Sequence, residues 1–420
     1  MKNRRQKTLY IILVLFGILL LYQAAFGSFE YVPGSERVEY QYGGSDISSF
    51  SMYIAFALFV ISGFKSYMNY GKKYGGLVFV LFILSAIMMS FFIYDMIEYG
   101  LHKQLAQSTG PIVFFILWGL FFSQNEDVWD SALKIARIIG PFLIIASVGV
   151  SVFFANVYGG HLGNSPQIML LGNGFWPLAI GMLGNEKQDN SIMKVFFIFC
   201  VGCALTTALL YGTRSWAVQC FLLLGLYLFK ESKGKIINIP TIVLATITGI
   251  LVISLVENSF SENWDYLSGR MGDNTRSFQY EEIFSQFGFG DLFFGRGTFG
   301  TYRSSLYGQY MYIDNTMVYT WFHWGFIAML CLIYILLYPF FKIILSNKAS
   351  RYDKVRVTIL LLWFLSLNGL SVYNTMTLDI RNTFIVILLG KEYLDCRRLQ
   401  KNNYNIRNNG LETQNRAVNS

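Results

Sequence analysis

The sequence predicts an all-α integral membrane protein of about twelve transmembrane helices with one large outer loop. Three observations carry this. Of 420 residues, 54% are apolar and only 14% charged, against about 25% charged in a soluble domain. Apolar runs of bilayer-spanning length recur along the chain. Lys and Arg alternate between successive connections, as the positive-inside rule requires of a multi-pass protein. A single soluble globular domain is thereby excluded, and the net charge of +8 has to be sorted by side before it means anything.

The runs fall at 8–27, 47–64, 75–94, 109–123, 138–157, 166–184, 194–211, 215–229, 237–256, 316–341, 357–373 and 380–390. A span takes about 20 apolar residues, so the short runs at 109–123, 215–229 and 380–390 leave a count of ten to twelve. The first run follows Lys2, Arg4, Arg5 and Lys7 and ends in Gln23-Ala24-Ala25, a pattern shared with signal-peptide cleavage regions. With eleven further runs behind it, an uncleaved anchor is the better reading. Placing the N-terminus in the cytoplasm and alternating puts 25 of the 33 basic residues inside, with 10 of the 25 acids. The inner side is then strongly basic and the outer side mildly acidic, with both termini in the cytoplasm.

By this reading residues 1–256 hold helices one to nine, 257–312 form the large outer loop and 313–390 hold the last three helices. Residues 391–420 are a cytoplasmic tail, Asn-, Gln- and Arg-rich at its end, which reads as disordered. The five cysteines carry no redox signature, since Cys200-x-x-Cys203 lies in an apolar run where small thiols pack. His102, His161 and His323 fall in three separate segments and make no metal-ligand pattern.

The outer loop is the only connection long enough to do chemistry, at 56 residues, 15 of them Phe, Tyr or Trp. That aromatic content argues for packing rather than disorder. Arg276, Tyr280, Ile283, Phe284 and Phe287 share one helical stripe, and Glu281 and Ser285 lie on another face. An amphipathic helix at the outer membrane surface follows, acting as a plug over the bundle or as a substrate-binding lid. Gly295-Arg296-Gly297-Thr298-Phe299-Gly300 has the form G-x-G-x-x-G. A dinucleotide site would need a preceding strand, a following helix and a cytosolic ligand, so the glycines are read as a tight turn that brings backbone amides close to a neighbour.

Charged residues at the outer edge are the candidates for function. Arg214 sits in the turn Tyr211-Gly212-Thr213-Arg214-Ser215, Arg270 and Arg276 in the loop, and Asp314-Asn315 where the chain re-enters the membrane. Arg214 also reads as a snorkelling anchor. Asp314 and Asn315 also read as ordinary helix caps, and a helix N-terminus weakens a carboxylate as a base.

Asp314-Asn315, nine residues and then Gly325-Phe326-Ile327-Ala328 together resemble the signature of the O-antigen ligase and polysaccharide polymerase superfamily, in which His-Asn opens a late span. Thr213-Arg214-Ser215 resembles that family's small-residue-plus-Arg turn, and Arg276 followed by Gly295-x-Gly297 resembles the Arg helix and Gly turn of its outer loop. The resemblance covers roughly residues 206–328. Asp314 stands where the family has His, which favours a polymerase over a ligase that transfers a finished glycan.

The resemblance implies transfer of a glycan from an undecaprenyl diphosphate carrier to a sugar hydroxyl at the outer face of the bacterial cytoplasmic membrane. Implied partners are the lipid-linked oligosaccharide, membrane lipids, a chain-length regulator and a flippase, with no nucleic acid and no cofactor. A diphosphate calls for planar bidentate donors, which assigns Arg214 and Arg276 to it, with Arg270 as the alternate. The acceptor hydroxyl needs a base, for which Asp314 comes first and Glu281 or Glu282 second. A lipid-linked sugar transporter would also be basic and polytopic, but such proteins carry inverted repeats and charges near the midplane; no internal repeat is visible here. A non-catalytic export scaffold is a third reading.

Overall fold

A computed structural model describes residues 2–25, 28–31, 38–41, 54, 57–58, 60–68, 75–100, 116–123, 126–158, 162–163, 166–186, 189–211, 213–231, 251–252, 254, 275–305, 308–311, 313, 315–367 and 379–418. Helix dominates: α1 Lys2–Ala25, α2 Gly75–Tyr99, α3 Glu126–Tyr158, α4 Pro166–Leu183, α5 Ser191–Leu210, α6 Arg214–Glu231, α7 Thr275–Ser285, α8 Phe289–Phe294, α9 Thr316–Ile344, α10 Arg351–Ser366 and α11 Ile380–Val418. The protein is an all-α membrane protein with, among the described residues, five short strands that periodicity did not foretell. β1 Ser28–Tyr31 pairs antiparallel with β2 Val38–Gln41, and β2 pairs parallel with β3 Leu162–Gly163. β4 Tyr302–Ser304 and β5 Gly308–Tyr310 form a hairpin within the large loop.

Among the described residues four helices are long and apolar enough to cross a bilayer: α2, α3 to Phe153, α5 and α9. Twelve runs were expected. The other described runs form helices that are shorter or more polar. α10 has 16 residues, α6 includes Arg214, Lys230 and Glu231, and α4 carries Gln167, Asn173 and Pro177. The runs at 47–64, 109–123, 237–256 and 357–373 lie partly or mostly outside the described residues.

α4 is buried at every position from Leu170 to Leu183, which is why that stretch has apolar residues on every face, Asn173 being its one polar side chain. It lies backbone to backbone on α3. A Cβ on Gly140 would come within 2.7 Å of Leu178 Cα, and one on Gly181 within 2.8 Å of the Arg137 nitrogen. Small residues of this kind let membrane helices approach where hydrophobic burial gives no driving force.

At the opposite end of the bundle from the large loop, buried charges are paired. Lys230 bonds Asp189 at 3.0 Å, Arg137 bonds Asp189 at 3.2 Å, and Lys194 bonds Glu231 at 2.7 Å. Arg356, 1% exposed, reaches Glu392 and Asp395 at 2.8 Å each and also pairs with Asp353. Lys391 bonds Asp395 at 2.8 Å and Glu126 at 3.3 Å. Residues 391–396, expected at the start of the cytoplasmic tail, are buried among these partners, and α11 runs on to Val418. A charge removed from water is tolerated when it is neutralised and hydrogen-bonded, and Arg356 supplies that to α11 from 36 positions upstream.

Candidate functional site

The large loop is built onto a break in α9. Gly325 leaves helical geometry at φ 86° and ψ 170°, so the carbonyls of Phe322 and His323 lose the amides that a continuous helix would offer. The loop supplies replacements. Arg296 N–H donates to Phe322 O at 2.8 Å and Gly297 N–H to His323 O at 2.9 Å. Gly295 and Gly297 make this possible with φ of 73° and 82°, a region that excludes most side chains. A Cβ on Gly295 would lie 2.6 Å from Trp324 N, and one on Gly325 would overlap the Phe293 carbonyl. Gly295 and Gly325 therefore each press on the backbone of the opposite element, and Gly297 bonds it between them.

Side chains lock the junction. Trp321 Nε1 donates to Leu292 O at 2.8 Å, and His323 Nδ1 shares a 2.7 Å bond with Gly297 O. Thr298 N–H donates to Asp95 of α2 at 3.3 Å. Arg296 is fully engaged: Nε bonds Asp291 at 3.0 Å, Nη1 donates to Thr301 O at 3.1 Å, and Nη2 donates to Gln286 O. Its guanidinium lies 5.6 and 5.5 Å from the rings of Phe287 and Phe322, adding cation–π attraction. Arg296 is a clamp within the G-x-G turn, a role that the turn reading left unassigned.

α7 is anchored by Ile283, which is fully buried, whereas Phe284 is half-exposed and Phe287 lies beyond the helix. On its polar side Glu282 accepts from Ser305 N–H at 2.8 Å, and Gln286 exchanges bonds with Arg303 N–H and O at 2.8 and 2.9 Å. Hydrogen bonds from Ser305 hold the Glu282 carboxyl below the usual Glu range. It braces the hairpin and makes a poor base. Glu281 is exposed.

Of the remaining expected residues, Asp314 and Arg270 lie outside the described residues. Arg276 falls in the first turn of α7, with its side chain outside the description. Asn315 caps α9, accepting from Met317 and Val318 N–H at 2.9 and 3.1 Å. Arg214 is exposed at the start of α6.

A further cation, missed by sequence reading, lies close to the first turn of α6. Arg381 is 8% exposed at the start of α11. Its Nη2 bonds Asp379 at 2.6 Å, its backbone N–H donates to Asn173 Oδ1 of α4 at 3.1 Å, and its Nε has no hydrogen-bond partner among the described residues. It fits over α4 because Gly172 has no side chain there. A Cβ at that point would lie 3.1 Å from Arg381 Nη1 and 3.8 Å from Trp216 of α6. Arg381 was one of eight outer basic residues, and only its place among helices far apart in sequence distinguishes it. No protein-family model and no curated protein matches the chain.

Proposed function

We propose that the protein polymerises lipid-linked oligosaccharide repeats at the outer face of the bacterial cytoplasmic membrane, in a twelve-span topology with both termini inside. The observation that carries this reading is the order of the motifs together with the junction that their glycines serve. Thr213-Arg214-Ser215, Arg276, Gly295-x-Gly297 and Asp314-Asn315-x9-Gly325 occur in the order of the polymerase and ligase superfamily. Gly295 packs on the His323 and Trp324 backbone, Gly297 bonds His323 O and Gly325 packs on the Phe293 backbone, so the glycines of the loop and of the helix that Asp314 and Asn315 precede serve one junction.

The reaction is displacement at an anomeric carbon. The acceptor hydroxyl oxygen forms the new glycosidic bond, the bond from that carbon to the diphosphate oxygen breaks, and the diphosphate leaves with the electron pair. Asp314 takes the hydroxyl proton in this scheme, with Glu281 as the fallback, because Glu282 is engaged by the hairpin. Arg214 and Arg276 stabilise the charge that develops on the leaving group, with Arg270 in reserve. Fixed donors aimed at developing charge are the largest single source of rate in many enzymes. Arg381 adds a buried guanidinium beside the helix that Arg214 opens.

The interrupted α9 is a feature that transporters share, but there the exposed carbonyls line an ion or substrate site. Here the Phe322 and His323 carbonyls are taken by loop amides, so the break serves as a socket for the loop. The test is incubation of the purified protein, in nanodiscs, with one undecaprenyl-diphosphate-linked repeat. Products lengthening in repeat-sized steps are expected. Consumption only after a different acceptor is added would mean a ligase, and no consumption under either condition would sink the enzymatic reading.

A further inference from the structure

At the end of the bundle remote from the loop, α9 and α11 flank a cleft that the glycan chemistry does not use. Pro339 lies inside α9 beside it. Proline has no N–H to offer the carbonyl four residues back and its ring pushes that carbonyl aside. The abandoned Ile335 carbonyl is instead satisfied from α11, whose Tyr393 hydroxyl donates to it at 2.8 Å. Next to this contact lies a cavity of about 550 Å³, walled by Leu337, Tyr338, Phe341, Leu345 and Leu399. A second cavity of about 210 Å³ shares Tyr334, Tyr338, Cys396 and Gln400 with it and opens towards Gly75 and Gly76 at the start of α2.

The larger cavity is walled by apolar and aromatic side chains, the smaller one is more polar, and each is lined by one basic residue. Tyr338 stacks on Tyr393 with centroids 5.7 Å apart and on its other side meets Tyr334 at 5.4 Å. Lys342 lines the larger cavity, with its Nζ 5.7 Å from the Tyr338 ring, and Arg397 lines the smaller one. No acidic residue is among the described lining of either. Phe341 and Leu345 are 53% and 78% exposed along the cleft, an apolar surface that suits hydrocarbon and not water. The volume falls in the range of small-molecule sites.

We propose that this cleft binds an anionic phospholipid, with an acyl chain along Leu337, Phe341, Leu345 and Leu399 and the headgroup phosphate between Lys342 and Arg397. Charge complementarity selects the occupant: two cations with no lining acid favour a net negative headgroup over a zwitterionic one, and basic pockets between helices at a membrane face take such headgroups. Gln400, shared by both cavities, adds an amide donor at the rim. The assignment is independent of the glycan reaction and is tested by binding alone.

The full-length protein in mild detergent is mixed with phosphatidylglycerol and phosphatidylcholine of the same acyl chains, and retained lipid is counted by native mass spectrometry. One basic residue near a lipid surface is worth about five-fold in binding, so phosphatidylglycerol is expected to be favoured by about twenty-five-fold. Lys342→Gln, on an exposed side chain, lowers that ratio about five-fold, and adding Arg397→Gln brings it near unity with phosphatidylcholine retention unchanged. Leu337→Trp, which fills the cleft, lowers retention of both. Equal retention of the two lipids by the wild-type protein, or an unchanged ratio in Lys342→Gln, overturns the proposal. So does retention of undecaprenyl phosphate, offered as a third lipid, in preference to phosphatidylglycerol by the wild-type protein but not by Leu337→Trp, which would reassign the cleft to a polyprenyl chain.

Discussion

Replacing Gly325 by Ala tests whether the large loop is held by the break in α9. Two costs act at once. Ala at φ 86° and ψ 170° enters a region that is essentially reserved to glycine, at about 1–3 kcal/mol. Its Cβ would also stand 2.7 Å from the Phe293 carbonyl carbon and 2.8 Å from that of Phe294, so α8 or α9 must move. Either movement stretches the bonds from the Arg296 and Gly297 amides to the Phe322 and His323 carbonyls, each worth about 1 kcal/mol net. The sum is about 3–5 kcal/mol, and it is capped by the free energy of docking, because the loop detaches once the strain exceeds what holds it. Hydrogen exchange in nanodiscs reads this directly. The Arg296 and Gly297 amides should lose about a hundred-fold in protection, while amides in the centre of α4 keep theirs. Gly149→Ala is the control, since its added Cβ meets nothing within 4 Å and alanine is the better helix former by about 1 kcal/mol. Unchanged protection at Arg296 and Gly297 in Gly325→Ala would refute the socket.

Arg214→Lys keeps the charge and loses the planar fork; polymer ladders from a strain carrying it should shorten or vanish, and full-length ladders would remove Arg214 from the diphosphate site. Asp314→Asn should slow turnover of the lipid-linked repeat by about 10²- to 10⁴-fold if Asp314 is the base, whereas near-normal turnover leaves it a helix cap. Glu282 has a folded-state pKa below its ordinary value because Ser305 hydrogen-bonds the ionised form, so its contribution to hairpin docking is complete above the usual Glu pKa of about 4.3 and is lost as pH falls through the lowered value. Protease resistance of residues 302–310 should therefore be flat at neutral pH and fall in acid, and Glu282→Gln should remove that acid-dependent step.

Much of the architecture was legible because hydropathy reports it. Described helices lie under the runs at 75–94, 138–157, 166–184, 194–211 and 316–341, and the described part of the aromatic loop, 275–305 and 308–311, packs where disorder was argued against. The break at Gly325 was hidden by the same signal: 316–341 is apolar throughout, and a lone glycine in a helical pattern is ordinarily tolerated. Only the Phe293 backbone, pressed against Gly325 from 32 positions upstream, gives that glycine its reason. The continuation of α11 beyond residue 390 was hidden by the converse effect. Lys391, Glu392 and Asp395 look like the start of a solvated tail until Arg356 and Glu126 neutralise them inside the fold.

Partner geometry also divides the outer arginines, which composition treats as equivalent. Arg296 meets Asp291, Thr301, Gln286 and two aromatic rings, so its charge and its donors are committed to the turn and little is left for a ligand. Arg381 is different in kind. Asp379 takes one terminal nitrogen, but the Nε N–H stays without a partner in a buried site, which costs free energy unless something accepts it. Neutralisation by Asp379 lowers the attraction for a diphosphate, and desolvation raises the value of each remaining donor. A saturated guanidinium positions the chain; one with a buried donor to spare, beside the helix that Arg214 opens, keeps an unmet demand for an acceptor.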